Sequence, residues 1–72
     1  MTRETFVAEL DRQVKLVRTE YGFTQDVMAR VLGISKKTLV EIEKGRSSLG
    51  WTGAVALCSI FSGSQVLSGL LG

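Results

Sequence analysis

Residues 25–44 read QDVMARVLGISKKTLVEIEK, and the spacing inside this run decides the fold. Ala29 falls where two crossing helices come closest, a place that needs a small side chain. Gly33 follows four residues later, where a first helix has to stop and the chain has to turn. Glycine takes a positive φ without a Cβ penalty, so it suits a left-handed helix end. Ser35 stands where the next helix needs an N-cap, with a hydroxyl that can accept from the free N–H groups of its first turn. Met28, Leu32, Ile34, Leu39 and Ile42 converge on one side of the pair. Gln25, Lys36, Lys37, Thr38 and Glu41 are left on the outside. The pattern predicts helices over about 25–32 and 36–44, joined by a short glycine-containing turn: a helix-turn-helix.

Working outward, Phe6, Leu10, Val14, Val17 and Tyr21 recur at spacings of three and four. They predict a helix over about 3–21 with one apolar stripe, capped by Thr2 and favoured by Glu4 in its first turn. Gly22 ends it, Phe23 is placed as a hydrophobic staple, and Thr24 caps the helix that follows. Lys44 and Gly45 suit the end of the helix over 36–44, and Arg46-Ser47-Ser48 reads as a loop. A fourth helix is expected over about 52–61, with Val55, Leu57, Ile60 and Phe61 as its apolar positions. Ser62-Gly63-Ser64 breaks it, and a short fifth helix over about 64–71 carries Val66, Leu67, Leu70 and Leu71. The fold class is all-α, five helices in a single domain over residues 1–72, and no internal repeat is visible.

Composition narrows the function. At 72 residues the chain has room for one domain with a core near the lower limit of self-sufficiency. Hydrophobic residues make up 44% and proline is absent, which favours a packed helical fold over disorder. With one cysteine and no histidine, an internal disulfide is impossible and neither a metal site nor a cofactor is expected. The lone cysteine fits a reducing cytoplasm, and no signal peptide stands out at the start. Trp51 and Cys58 read as packing residues. No enzyme is expected: there is no histidine, no clustered acid pair, no phosphate-cradling glycine loop and little room for a cleft.

The net charge is only +2, but its distribution is lopsided. All nine Lys and Arg and all seven Asp and Glu lie within residues 1–46, and Ser47 to Gly72 carry no charge. An uncharged run of that length raises the possibility of a membrane span. Ser59, Ser62, Gly63, Ser64 and Gln65 near its middle argue against one, because they are costly in lipid and natural at a helix break. The expectation is a core layer with a self-association surface. The end at Leu70-Leu71-Gly72 is compatible with a longer natural chain.

The run from Gly22 to Arg46 closely resembles the phage-repressor and Cro class of helix-turn-helix proteins, the XRE family. Thr24-Gln25, Ala29, Leu32-Gly33-Ile34-Ser35 and Glu43-Lys44-Gly45 carry the resemblance, which extends loosely over residues 6–70. It implies a five-helix repressor-like bundle that binds double-stranded DNA with the helix over 36–44 in the major groove. It also implies a homodimer, often formed through the fifth helix, with Val66, Leu67, Leu70 and Leu71 as candidates here. In the family an Arg at the position of Arg18 pairs with the Glu matching Glu43, tying the first helix to the end of the third. The Gln matching Gln25 donates to a phosphate, and the loop matching Arg46 and Ser47 contacts the backbone. Arg30, Lys44 and Ser48 are further phosphate candidates.

Base chemistry then assigns the outer face. Lys36 and Lys37 can donate to guanine O6 and N7, Thr38 can bond a base or touch a thymine methyl, and Glu41 can accept from cytosine N4. Lys37 and Glu41 lie one turn apart and can instead form a surface i,i+4 pair. Two departures stand out: Val40-Glu41 replaces a more usual polar-then-basic pair, and Phe61 stands where relatives often carry Gly. The expected function is sequence-specific transcriptional regulation, as a repressor associated with the nucleoid in the cytoplasm. The alternative is an antitoxin-like or accessory module that grips a protein partner with its uncharged half.

Overall fold

The chain enters its first helix, α1 (Arg3–Glu20), through Thr2, whose hydroxyl accepts from the Thr5 N–H at 3.1 Å. The computed structural model describes the backbone of residues 2–71 and the side chains of residues 2–70. Four more helices follow: α2 (Gln25–Leu32), α3 (Lys36–Glu43), α4 (Gly50–Ile60) and α5 (Gln65–Leu71). The described residues contain no strand, so the all-helical class is the observed one.

Helix α1 is the spine. Its stripe of Leu10, Val14 and Val17 is fully buried, and α3, α4 and α5 all pack against it. Met28 and Ala29 of α2, Leu39 and Ile42 of α3, Ala54 and Leu57 of α4, and Leu67 of α5 complete one core. Burying each such side chain contributes roughly 1.5–3 kcal/mol for the larger aliphatics. Ala29 is 3% exposed at the α2–α3 crossing, where a larger side chain would hold the helices apart.

The turn between α2 and α3 closes through Gly33, at φ 74°. Its N–H donates to the Arg30 carbonyl at 3.2 Å, and the Ile34 N–H donates to the Ala29 carbonyl at 2.9 Å. That pair of bonds is a Schellman motif, and it requires the left-handed backbone that glycine accepts. Two residues on, Ser35 accepts from the Thr38 N–H at 3.1 Å and starts α3.

The structure departs from the sequence-based expectations at the ends of elements and in the C-terminal half. Tyr21 lies outside α1 as its cap, and Lys44 lies outside α3 in the same role. Helix α4 begins at Gly50, two residues earlier than its apolar pattern suggests, and ends at Ile60. Phe61 is its C-cap and is buried, with its ring 4.9 Å from Tyr21 and 6.1 Å from Phe23. An aromatic cluster therefore stands where relatives of the resembled family often carry Gly, and it locks the α1–α2 turn to the end of α4. Val55 and Ile60, two of the apolar positions read for the fourth helix, are exposed.

Helix α5 requires a correction. Leu67 is 3% exposed and belongs to the protomer's own core, so its side chain has no surface to offer a second copy. Val66 and Leu70 are half-buried against that core. The side chain of Leu71 lies outside the described residues.

The start of α5 is held by a contact that sequence patterning did not reveal. Ser64, itself buried, accepts from the Leu67 N–H at 3.2 Å and donates to Glu20 Oε1 at 2.5 Å. Glu20 Oε2 accepts from the Gln65 N–H at 2.6 Å. The Ser64 hydroxyl, helped by the Gln65 and Val66 N–H groups and opposed by desolvation, holds the Glu20 carboxyl below its ordinary value. A depressed carboxylate stabilises the fold above the ordinary carboxylate range and loses that contribution as pH falls through its folded value. Glu20→Ala is expected to lower the urea midpoint at pH 7 and to speed amide exchange across α5. In acid the wild type should converge on the variant; a constant difference down to pH 2 would remove Glu20 from this role.

Candidate nucleic-acid interface

Three helix ends meet at Glu43. Arg18 Nε donates to Glu43 Oε2 at 2.7 Å, and Arg18 Nη2 donates to Glu43 Oε1 at 3.1 Å. Arg18 Nη1 donates to the Phe23 carbonyl at 3.1 Å, and Gln25 Nε2 donates to Glu43 Oε1 at 3.1 Å. The two charged side chains are 13% and 6% exposed. The fork geometry is directional, so it fixes orientation as well as distance. The end of α1, the start of α2 and the end of α3 thus share one polar clamp. Gln25, a phosphate candidate from sequence, is a member of this clamp through its amide nitrogen.

The clamp leaves the outer surface of α3 free of core contacts. Lys36 and Lys37 are exposed at the start of the helix. Thr38 is half-buried, with its hydroxyl 2.9 Å from that of Ser35. Lys36 Nζ lies 3.6 Å from Asp26 Oδ2, across the α2–α3 turn. Glu41 is half-buried on the next turn. The suggested Lys37–Glu41 pair does not form. Glu41 Oε2 instead lies 4.0 Å from Arg46 Nη1. The cause is the end of α3: Gly45 at φ 79° lets the Arg46 N–H return to the Glu41 carbonyl at 2.8 Å. That turn folds Arg46 back along the helix it follows. Ser47 and Ser48 are exposed beyond it.

The loop after α3 is anchored from an unexpected direction. Asp11, in the middle of α1, accepts from the Leu49 N–H at 2.8 Å. The Asp11 carboxylate therefore limits how far residues 46–49 can move from α1. No local pattern signals this contact, because its partners are 38 positions apart. Arg3 stacks over Trp51, 4.6 Å from the ring centroid, and Phe6 lies 5.8 Å from the same ring. Trp51 is thus a half-exposed packing residue of the α1–α4 seam. Among the described residues no helix is long and apolar enough to cross a membrane.

A short helix of eight residues, about 12 Å long, is held by its buried side while basic residues stand exposed near both its ends. With its glycine turn and the preceding helix, it defines a helix-turn-helix DNA-binding domain. Residues 14–50, just over half of the chain, match the model of the helix-turn-helix family. The chain belongs to that family, in its XRE-type branch, which is one of DNA-binding transcriptional regulators and not of enzymes. A comparison with curated proteins found no match, and a comparison with solved structures found none.

The clamp makes a stability prediction. Removing one partner of a buried pair leaves the other charge uncompensated, at a cost of about 3–5 kcal/mol. Glu43→Ala should therefore destabilise by about that amount in urea unfolding. Arg18→Met combined with Glu43→Leu should cost less than Glu43→Ala alone. A loss under about 1 kcal/mol for Glu43→Ala would class the pair with exposed ones.

Proposed function

We propose that this protein is a sequence-specific transcriptional repressor that acts in the cytoplasm on the nucleoid, bound as a homodimer to a pseudo-palindromic operator. In this reading α3 enters the major groove. Lys36 and Lys37 donate to guanine edges, Glu41 accepts from a cytosine amine, and Thr38 contributes its methyl or hydroxyl. Arg46, Ser47 and the start of α2 at Gln25 position the domain on the phosphates. The observation that carries the reading is the exposed Lys36-Lys37 pair at the start of a helix whose opposite side is clamped and buried.

Dimerisation is proposed through the uncharged half of the chain. Trp51, Val55 and Ile60 of α4 are exposed apolar side chains, and α4 carries no charge that a second copy would repel. Val66 and Leu70 can add to the contact from α5. The domain measures 30 Å in its longest dimension. Two copies in contact are thus of a size to reach successive major grooves about 34–36 Å apart.

A second reading rests on the same exposed α4 side chains: an antitoxin-like or accessory module that uses them to hold another protein. Selection from a random duplex pool separates the two. Repression from an operator predicts enrichment of a two-fold symmetric sequence, bound with affinity that falls steeply as salt rises. Failure to enrich any sequence, with only weak salt-sensitive binding, would overturn the operator reading and favour the partner module. On the selected duplex, Lys37→Ala should cost about 1–3 kcal/mol and relax the preference at one base pair. Unchanged affinity and unchanged base preference would remove Lys37 from the reading face.

A further inference from the structure

Two of the cations assigned to DNA already have partners within the protein. Lys36 is 3.6 Å from Asp26, and Arg46 is 4.0 Å from Glu41. Both distances describe ion pairs without a formed hydrogen bond, and all four side chains are a third or more exposed. Such pairs are weak and are broken readily by a stronger anion. A DNA phosphate is such an anion, because its field is reinforced by its neighbours along the backbone.

We infer that in sequence-independent binding Asp26 and Glu41 are exchange partners for the DNA phosphates, which take Lys36 and Arg46 from them before any base is read. The inference rests on the DNA-binding reading above and deepens it. It assigns these two acids the role of setting the salt dependence and strength of binding. A free lysine that meets a phosphate displaces a condensed cation from the DNA, and the released ion favours binding at low salt. A lysine that leaves a carboxylate for a phosphate also displaces that cation. The abandoned carboxylate then draws a cation back from solution. The net release is smaller, so the dependence on salt is shallower than the number of phosphate contacts implies.

The signs are distinctive. Deleting a phosphate-contacting cation makes the salt slope shallower. Deleting one of these acids makes it steeper. A general effect of net charge is controlled by Glu9, which pairs with Arg12 on α1 and not with either cation assigned to DNA.

The test is a fluorescence-anisotropy titration of a labelled random-sequence duplex, about two helical turns long, over a range of salt concentrations. Asp26→Asn and Glu41→Gln should each steepen the slope of log affinity against log salt by up to about 0.9. Each should also tighten binding at low salt by roughly two- to fivefold, the fold-change that corresponds to a surface pair. Glu9→Gln should leave the slope near that of the wild type. Slopes for Asp26→Asn and Glu41→Gln no steeper than that of Glu9→Gln would overturn the exchange. Failure of the wild type to bind any duplex at low salt would instead overturn the DNA-binding reading. Urea unfolding and circular dichroism of each variant check that the fold and its overall helicity are intact.

Discussion

A guanidinium and a carboxylate that meet at 2.7 Å hold three helix ends in one place. The Arg18–Glu43 pair is nearly out of solvent, and an ion pair taken out of water gains little net stability against a hydrophobic substitute of the same volume. Its value is positional. Apolar contacts of Leu39 and Ile42 seat α3 on the core but tolerate rotation and sliding. A two-pronged arginine fork tolerates neither, and Gln25 adds a third direction from α2. Any side chain on the outer face of α3 therefore inherits its position from a contact made on the inner face.

Much of this was legible in the sequence. The Gly33 turn, the Ser35 cap and the apolar positions of α2 and α3 are local, so their chemistry is written within a few residues of each other. The stripe of α1 was legible for the same reason. Other features depend on partners far along the chain and had no local sign. Glu20 and Ser64 are 44 positions apart, and Asp11 and Leu49 are 38 apart. Helix α4 misled pattern reading because it has apolar side chains nearly all round. Its exposed Val55 cannot be told from its buried Leu57 until α1 and α2 are seen to cover only one side. Leu67 misled in the opposite sense, as an apolar residue near the chain end that turned out to complete the core.

The chain divides its labour by charge. Residues 1–46 hold every charged side chain and supply the polar clamp, the exposed Lys36–Asp26 and Arg46–Glu41 pairs and the basic face of α3. The uncharged remainder supplies core from Ala54, Leu57, Phe61 and Leu67, together with the exposed apolar side chains of α4. The halves are joined where they can be held rigidly. Asp11 receives the Leu49 N–H, Glu20 caps α5, and Tyr21 and Phe23 pack on Phe61. Each joint runs through α1 or the turn that follows it. A net charge of only +2 is thus compatible with exposed lysines at the start of α3, because Asp11 and Glu20 are spent on backbone N–H groups away from that helix.

The central claim is that the start of α2, the outer face of α3 and the loop after it form one DNA-binding surface. The most direct measurement is a heteronuclear NMR titration of the intact protein with duplex DNA, following backbone amides and lysine side chains. The account predicts shifts concentrated at residues 24–26, 35–38, 40–41 and 45–48, while the inner residues Leu39, Ile42 and Glu43 keep their core and clamp contacts. Shifts concentrated on Trp51, Val55 and Ile60 of α4, with α3 unmoved, would contradict it.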